Sequence, residues 1–346
     1  MATVKGTAAS EILTGSQFDD RIEGFGGDDT IRGLRGNDVL DGGTGDDLLI
    51  GRTGNDVYNV DSRSDRVVER FAEGDSDVVQ SSVSYILARN IENLTLSDNR
   101  AVRGIGNDLD NLIRSFSGDN ILDGRGGADR MSGGQGSDTY IVDDVGDTII
   151  EEDGQDIDIV RSSVSFALGG DLDPRNFATA YLERLVLVGT GDVDGIGSER
   201  NDRIRGNSGD NILYGLAGED HLSGGGGNDS LYSGPGHDFL TGGPGQDGFY
   251  FMDPFPHGQE WIVDFTPVSD TIYLDGTAFD VPEGPLPDSM FVLGSQPQDA
   301  DDRIMYNPEN GHIYYDPNGN GGGDFPTTIA VVTPGTDVTA SDFFGI

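Results

Sequence analysis

Gly33-Leu34-Arg35-Gly36-Asn37-Asp38-Val39-Leu40-Asp41 is followed directly by Gly42-Gly43-Thr44-Gly45-Asp46-Asp47-Leu48-Leu49-Ile50, and this stretch decides the fold. Each nonapeptide opens on glycine, repeats glycine at its fourth position, places aspartate sixth and a large apolar residue eighth. Stepping by nine from Gly15 keeps that frame, with Asp20, Asp29, Asp38, Asp47 and Asp56 sixth. Ile22, Ile31, Leu40, Leu49 and Tyr58 are eighth. A solvated run of charge has no reason to hold acidic and apolar residues in one register, whereas a structural repeat does.

The frame returns twice. From Gly106 it places Asn111, Asn120, Asp129 and Asp138 sixth, and from Gly197 it places Asp202, Asn211, Asp220, Asp229, Asp238 and Asp247. The eighth position stays apolar or aromatic in both blocks, from Ile113 to Tyr140 and from Ile204 to Phe249. Between the blocks lie segments rich in Val, Ile, Ser and Thr, which suit strands better than helices. These segments echo one another. Asp56-Val57-Tyr58 through Glu69 reappears as Asp138-Thr139-Tyr140 through Glu151, and Ser81-Ser82-Val83-Ser84-Tyr85 as Ser162-Ser163-Val164-Ser165-Phe166. The organisation read from the sequence is block 6–59, spacer 60–105, block 106–141, spacer 142–196, block 197–250 and a C-terminal region 251–346.

The geometry of a unit follows from its residues. Glycines at positions one and four are expected to adopt positive φ. Asn or Asp at position five tolerates the same region. The closing triplet is extended and points its single apolar residue to one side. Two units then complete one coil of an all-β parallel β-roll, a solenoid whose neighbouring coils lie about 4.8 Å apart. Sixth-position carboxylates of alternate units stack at about that spacing. At about 5 Å and an effective dielectric of about 20, two such charges repel by about 3 kcal/mol. A divalent cation between them reverses the sign. Ca²⁺ accepts 6–8 oxygens, mixing carboxylates and carbonyls, whereas Mg²⁺ demands a strict octahedron and keeps its waters. Zinc is disfavoured with no cysteine and only His221, His237, His257 and His312.

The expected ligands are therefore the sixth-position residues of all three blocks. They are joined by backbone carbonyls of the glycine-rich turns, such as Gly33, Gly42, Gly51, Gly124, Gly133, Gly215, Gly224 and Gly242. Pairs two units apart give roughly nine candidate sites if each pair holds one ion. Sites that rely on Asn111, Asn120 or Asn211 lack a charge and are expected to be weaker or empty.

The composition restricts partners. The chain has 346 residues, 55 glycines, 62 acidic and 21 basic side chains and a formal net charge of −41. That balance argues against nucleic acid, whose phosphates need Lys and Arg to displace their counterions. Without cysteine there is no disulfide framework, so metal is the natural staple. No stretch approaches the roughly 20 apolar residues of a membrane span. The zinc-protease H-E-x-x-H and the lipase G-x-S-x-G are absent. The adjacent Glu151 and Glu152 are the kind of acidic pair expected by chance in so acidic a chain.

The units resemble the G-G-x-G-x-D-x-U-x nonapeptide of RTX (repeats-in-toxin, or hemolysin-type calcium-binding repeat) proteins. Gly42 to Ile50 and Gly224-Gly225-Gly226-Gly227-Asn228-Asp229-Ser230-Leu231-Tyr232 match it in full. The resemblance implies a parallel β-roll with Ca²⁺ between the turns of alternate units. It also implies export by type I secretion machinery through an uncleaved C-terminal signal, with folding outside the cell. Phe249-Tyr250-Phe251, Asp264-Phe265 and Asp270-Thr271-Ile272-Tyr273-Leu274 resemble the serralysin-like β cap of such rolls, and Asp342-Phe343-Phe344-Gly345-Ile346 resembles their secretion signals. The function expected from these readings is that of a secreted, non-catalytic, bacterial extracellular calcium-binding protein with a matrix, cell-surface or adhesion role. Two alternatives stand beside it: a calcium-dependent carbohydrate-binding module for an extracellular polysaccharide, and a polysaccharide-active enzyme housed in the spacers.

Overall fold

The computed structural model describes residues 2–71, 73–100, 102–151, 156–169, 181–253, 258–319 and 326–346. They form two compact units, 2–161 with 181–182 and 162–169 with 183–346. His257 and Glu152 lie outside the described residues.

The triplet that closes each nonapeptide is a strand, and it pairs in parallel with the triplet two units further on. Arg21 lies opposite Val39 and Val39 opposite Val57, while Thr30 lies opposite Leu48. Strands of adjacent units fall in different sheets. In the first unit Asp20–Glu23, Val39–Asp41 and Val57–Val60 belong to one sheet, and Thr30–Arg35 and Leu48–Thr53 to another. The second unit repeats the arrangement, with Arg203–Arg205, His221–Ser223 and Phe239–Thr241 in one sheet and Ile212–Tyr214, Ser230–Tyr232 and Gly248–Phe251 in the other. The fold is the all-β parallel β-roll that the nonapeptide frame requires.

The core is narrow because each triplet contributes one residue to it. Every eighth-position side chain, from Ile22 to Phe249, is at most 1% exposed. Its neighbours, such as Arg21, Glu23, Val39 and Asp41, remain half-buried. The spacers add rungs to the same sheets with uneven coil lengths. Tyr58 pairs with Val79 and Val79 with Leu94, the first step longer and the second shorter than the constant step of the blocks.

The turn conformation differs from the expectation in one respect. Position four is left-handed in units such as Gly36 (φ 107°) and Gly45 (φ 146°), but position one is not. The other left-handed residue is position two, and there Phe25, Leu34, Arg52, Arg125 and Leu216 adopt it without being glycine. Position one, glycine in every unit except those that open on Ser115 and Ser233, leaves little room for a Cβ. Built on Gly15, a Cβ would stand 2.6 Å from the carbonyl oxygen of Gly33 and 2.9 Å from Asp20 Oδ2.

Beyond the third block the chain changes character. Thr271–Leu274 pairs with Gly248–Phe251 on one side and with Phe343–Gly345 on the other. Ile304–Asn307, His312–Tyr315 and Thr327–Val331 form an antiparallel sheet with a dense core of Ile304, Met305, Tyr306, Ile313, Tyr315 and Ile329. Among the described residues the helical content is two short 3₁₀ turns, Asp288–Met290 and Ala340–Asp342. No helix of the described residues is long and apolar enough to cross a membrane.

Candidate metal centre

The sixth-position aspartates lie at the turns, where coil stacks on coil, and all are buried. Apart from Asp202, which opens the third block, each uses one carboxylate oxygen to accept the backbone N–H of the residue at the matching place one coil earlier. Asp20 donates to Asp38 Oδ1 at 2.7 Å, Asp38 to Asp56 at 2.7 Å, and Asp29 to Asp47 at 2.7 Å. The third block does the same, with Asp202 to Asp220 at 2.8 Å, Asp220 to Asp238 at 2.8 Å and Asp229 to Asp247 at 2.9 Å. The two columns expected from alternate units are thus brought together by direct bonds.

Position five carries a second ladder of the opposite sense. Asn37 donates its N–H to Asp19 Oδ1 at 2.9 Å, and Asn55 donates to Asn37 Oδ1 at 2.9 Å. Asp46 donates to Asp28 and Asn228 to Asp210 in the same way. This role needs one acceptor oxygen and no charge, so Asn and Asp serve equally. Position six demands more, and that is where the chemistry lies.

Asp20 and Asp202 use the other oxygen to accept from Ser16 and Ser198, and in the remaining aspartates that oxygen has no hydrogen bond. The Oδ2 atoms of Asp29, Asp38, Asp47, Asp129, Asp220 and Asp229 are among those buried without a hydrogen bond. An unpaired buried carboxylate oxygen is costly, and a row of them is costlier still. Burial, more than neighbouring charge, drives nine of the sixth-position aspartates upward. Asp38, Asp47, Asp202 and Asp247 rise to about 6, Asp129, Asp138 and Asp229 to about 7, and Asp56 and Asp220 to about 8. Asp20 opens the first block and moves the other way, chiefly because the Ser16 N–H donates to it.

Beside the orphaned oxygens of Asp29, Asp38 and Asp220 stand the backbone carbonyls of Gly42, Gly51 and Ser233. The carbonyls of Gly33, Gly42, Gly51, Gly124, Gly215 and Gly224 each face the first-position glycine one coil earlier, in the space a Cβ would fill. Hard oxygen donors of mixed carboxylate and carbonyl type, on both sides of a side-chain-free recess, match what Ca²⁺ accepts. The other two expected glycines make backbone bonds of their own. Gly133 donates its N–H to the Tyr140 hydroxyl, and the Gly242 carbonyl accepts from Gly225 N–H.

The three asparagines are satisfied within the protein. Asn111 Nδ2 donates to the carbonyls of Ile91 and Glu92, both at 3.1 Å, and Asn211 Nδ2 donates to Val193. Asn120 Nδ2 donates to Ser115 Oγ and to the carbonyls of Ser117 and Gly118. The amide thus occupies carbonyls of its own turn at Asn120 and of the coil before at Asn111 and Asn211, and presents N–H groups where a cation would need oxygen.

Sequence spacing missed the acids that extend the columns beyond the blocks, into the spacers and the start of the C-terminal region. Asp47 donates to Asp65, Asp56 to Asp77, Asp129 to Asp147, Asp138 to Asp158 and Asp247 to Asp270. Asp65 and Asp147 keep the two-unit step from Asp47 and Asp129, so the echoed segments carried their signal. Asp77, Asp158 and Asp270 stand at three longer and unequal steps from their partners. No fixed frame reaches them.

Comparison with known protein families agrees with this geometry. The family model described as RTX calcium-binding nonapeptide repeat (4 copies) matches residues 5–40, 23–58, 33–65, 105–140, 196–231 and 216–249. The three blocks are RTX calcium-binding nonapeptide repeats, and calcium is the ion they bind. No curated protein matches the chain. Among solved structures, the extracellular lipase LipA from Serratia marcescens is similar at 17% identity and a TM-score of 0.26, over 78% of this chain and 45% of that one. The chain thus spans less than half the length of that lipase.

Proposed function

We propose that this is a secreted, non-catalytic calcium-binding protein that folds on meeting extracellular calcium and serves a matrix, cell-surface or adhesion role. The observation that carries the reading is the row of buried, unpartnered Oδ2 atoms along the turns, at Asp29 and Asp47 on one edge and Asp38 and Asp56 on the other. In this reading the sixth-position aspartates and the glycine carbonyls facing them are the ligands. Extracellular calcium modules bind with dissociation constants of about 10⁻⁴–10⁻³ M. Such a chain stays open in a calcium-poor cytoplasm and closes after export by type I machinery. The missing H-E-x-x-H and G-x-S-x-G motifs support a non-catalytic role. Circular dichroism and size-exclusion chromatography in millimolar calcium and in EDTA test the reading. A β-rich, compact chain only in calcium is expected, and the same spectrum and elution volume in EDTA would refute it.

One observation favours a second reading, calcium-dependent binding of an acidic polysaccharide. The first unit holds an open cavity of about 680 Å³ lined by Arg63, Arg66, Arg103 and Tyr85, with Asp65 as its one acid. Three guanidinium groups on one concavity reverse the local sign in a chain of net charge −41, and Arg suits planar carboxylates. A glycan array with calcium and with chelator separates the readings. Calcium-dependent retention of uronate polymers that is lost in Arg66→Ala and Arg103→Ala supports the second.

A further inference from the structure

We infer that the first two repeat blocks each end in a calcium site of a second kind, built from three carboxylates: Asp56, Glu69 and Asp77 in one, and Asp138, Glu151 and Asp158 in the other. The inference rests on the reading that the ladder holds calcium, and it adds an affinity class to it. In each triad one oxygen from every carboxylate lies within 4.8 Å of the others. All six side chains are at most 6% exposed. Asp56 Oδ2, Glu69 Oε2, Asp77 Oδ2 and Asp138 Oδ2 are buried with no hydrogen-bond partner.

The two triads are built alike. The aspartate is the sixth residue of the last unit in its block, and the same separation along the chain leads from Asp56 to Glu69 and from Asp138 to Glu151. Two positions beyond the aspartate, the eighth residue is tyrosine. The hydroxyls of Tyr58 and Tyr140, fully buried, donate to Glu69 Oε1 and Glu151 Oε1. That bond turns each glutamate toward the column, and in Glu69 it leaves Oε2 without a hydrogen-bond partner. The third block ends on Phe249, which has no hydroxyl, and Asp247 continues directly to Asp270. Arg52 lends Glu69 its backbone N–H at 3.0 Å. Its guanidinium Nε is buried with no hydrogen-bond partner, so it does not donate to the triad.

Oxygen-only donors and three formal charges select a hard divalent cation, and the absence of nitrogen and sulfur ligands in the triads disfavours zinc. Calcium affinity rises with ligand charge and site rigidity. A ladder site offers two carboxylates, whereas the triad adds a third that a buried tyrosine holds in place. The terminal sites should therefore fill first, about tenfold or more below the calcium concentration that fills the ladder.

Equilibrium dialysis of the full chain against buffered calcium tests this, with Glu69→Gln, Glu151→Gln and the double variant beside the wild type. Two ions per chain in a tight class are expected, one lost in each single variant and both in the double variant. A wild-type isotherm with no tight class, or a double variant that keeps it, overturns the inference. A wild type that binds no calcium at all instead refutes the ladder reading beneath it. Should the glutamine variants fail to fold, terbium luminescence decides. The first two equivalents of Tb³⁺ should lose most of their tyrosine-sensitised emission in Tyr58→Phe/Tyr140→Phe, and unchanged emission would overturn the inference.

Discussion

Buried aspartates occur both in the repeat blocks and in the C-terminal region, and the two sets are satisfied in different ways. In the C-terminal region Asp302 accepts the N–H groups of Gln298 and Asp299 at 2.6 and 3.0 Å. Asp316 accepts from Asn318 and Gly319, and Asp342 from Thr339. Their oxygens are occupied by local backbone, as in a turn or a helix cap. In the blocks, as at Asp29 and Asp38, one oxygen accepts from the coil before while the other lies beside a glycine carbonyl, an arrangement that no proton donor of the protein completes. The apolar content differs as well. Each nonapeptide buries one large side chain, whereas the C-terminal sheet packs Met305, Tyr306, Ile313, Tyr315 and Ile329 together. Burial of a carboxylate thus signals a metal only when its partners are themselves acceptors.

The largest expected effect of breaking this contrast is regional. Hydrogen exchange in EDTA should show the amides of the three blocks exchanging orders of magnitude faster than in calcium. The strands Ile304–Asn307, His312–Tyr315 and Thr327–Val331 should keep far more of their protection, because their core does not depend on an ion. Equal loss in both regions would show that the C-terminal sheet leans on the roll.

Next in size is the triple variant Asp38→Ala/Asp129→Ala/Asp229→Ala. Each substitution removes a ligand oxygen and an acceptor for the N–H of the coil before it, those of Asp20, Asn111 and Asn211. Calcium content by mass spectrometry should fall by about three or more ions per chain, and the concentration needed for folding should rise about tenfold or more. Unchanged uptake would remove these residues from the ligand set.

The pH dependence sharpens the same comparison. Aspartates whose folded values lie at about 6 to 8 take up more protons when folded than when unfolded, where about 3.9 applies. In EDTA the roll is therefore most favoured near pH 4 and loses stability as pH rises through about 8. Calcium replaces those protons, and neither the unfolded chain nor the calcium-filled roll carries them above about pH 5, so the calcium concentration at half-folding should stay level or rise as pH rises from about 5 to about 8. Circular dichroism along both titrations checks the sign, and a metal-free chain that gains structure on raising the pH would contradict it.

The smallest effect belongs to position five. Asn37→Asp keeps the acceptor for the Asn55 N–H and should change stability by less than about 0.5 kcal/mol, whereas Asn37→Ala should cost about 0.5–1.5 kcal/mol. Denaturant melts in saturating calcium measure the difference, and a large loss in Asn37→Asp would mean that this position also senses charge.

The nonapeptide frame determined much of this protein by itself. It selected Ile22, Leu40, Leu122 and Leu231 as core, Asp38 and Asp229 as column members, and a parallel roll as the fold, because the turn and the triplet are local and repeat without drift. Only the tertiary structure decided that position one leaves little room for a Cβ and that position two takes the left-handed conformation. It also decided that Glu69 and Asp77 join Asp56. Those facts concern contacts between coils, and the uneven coils that carry Tyr58 to Val79 and Val79 to Leu94 break the frame. Sheet register, which pairs backbone with backbone whatever the intervening length, restores the alignment that counting along the chain loses.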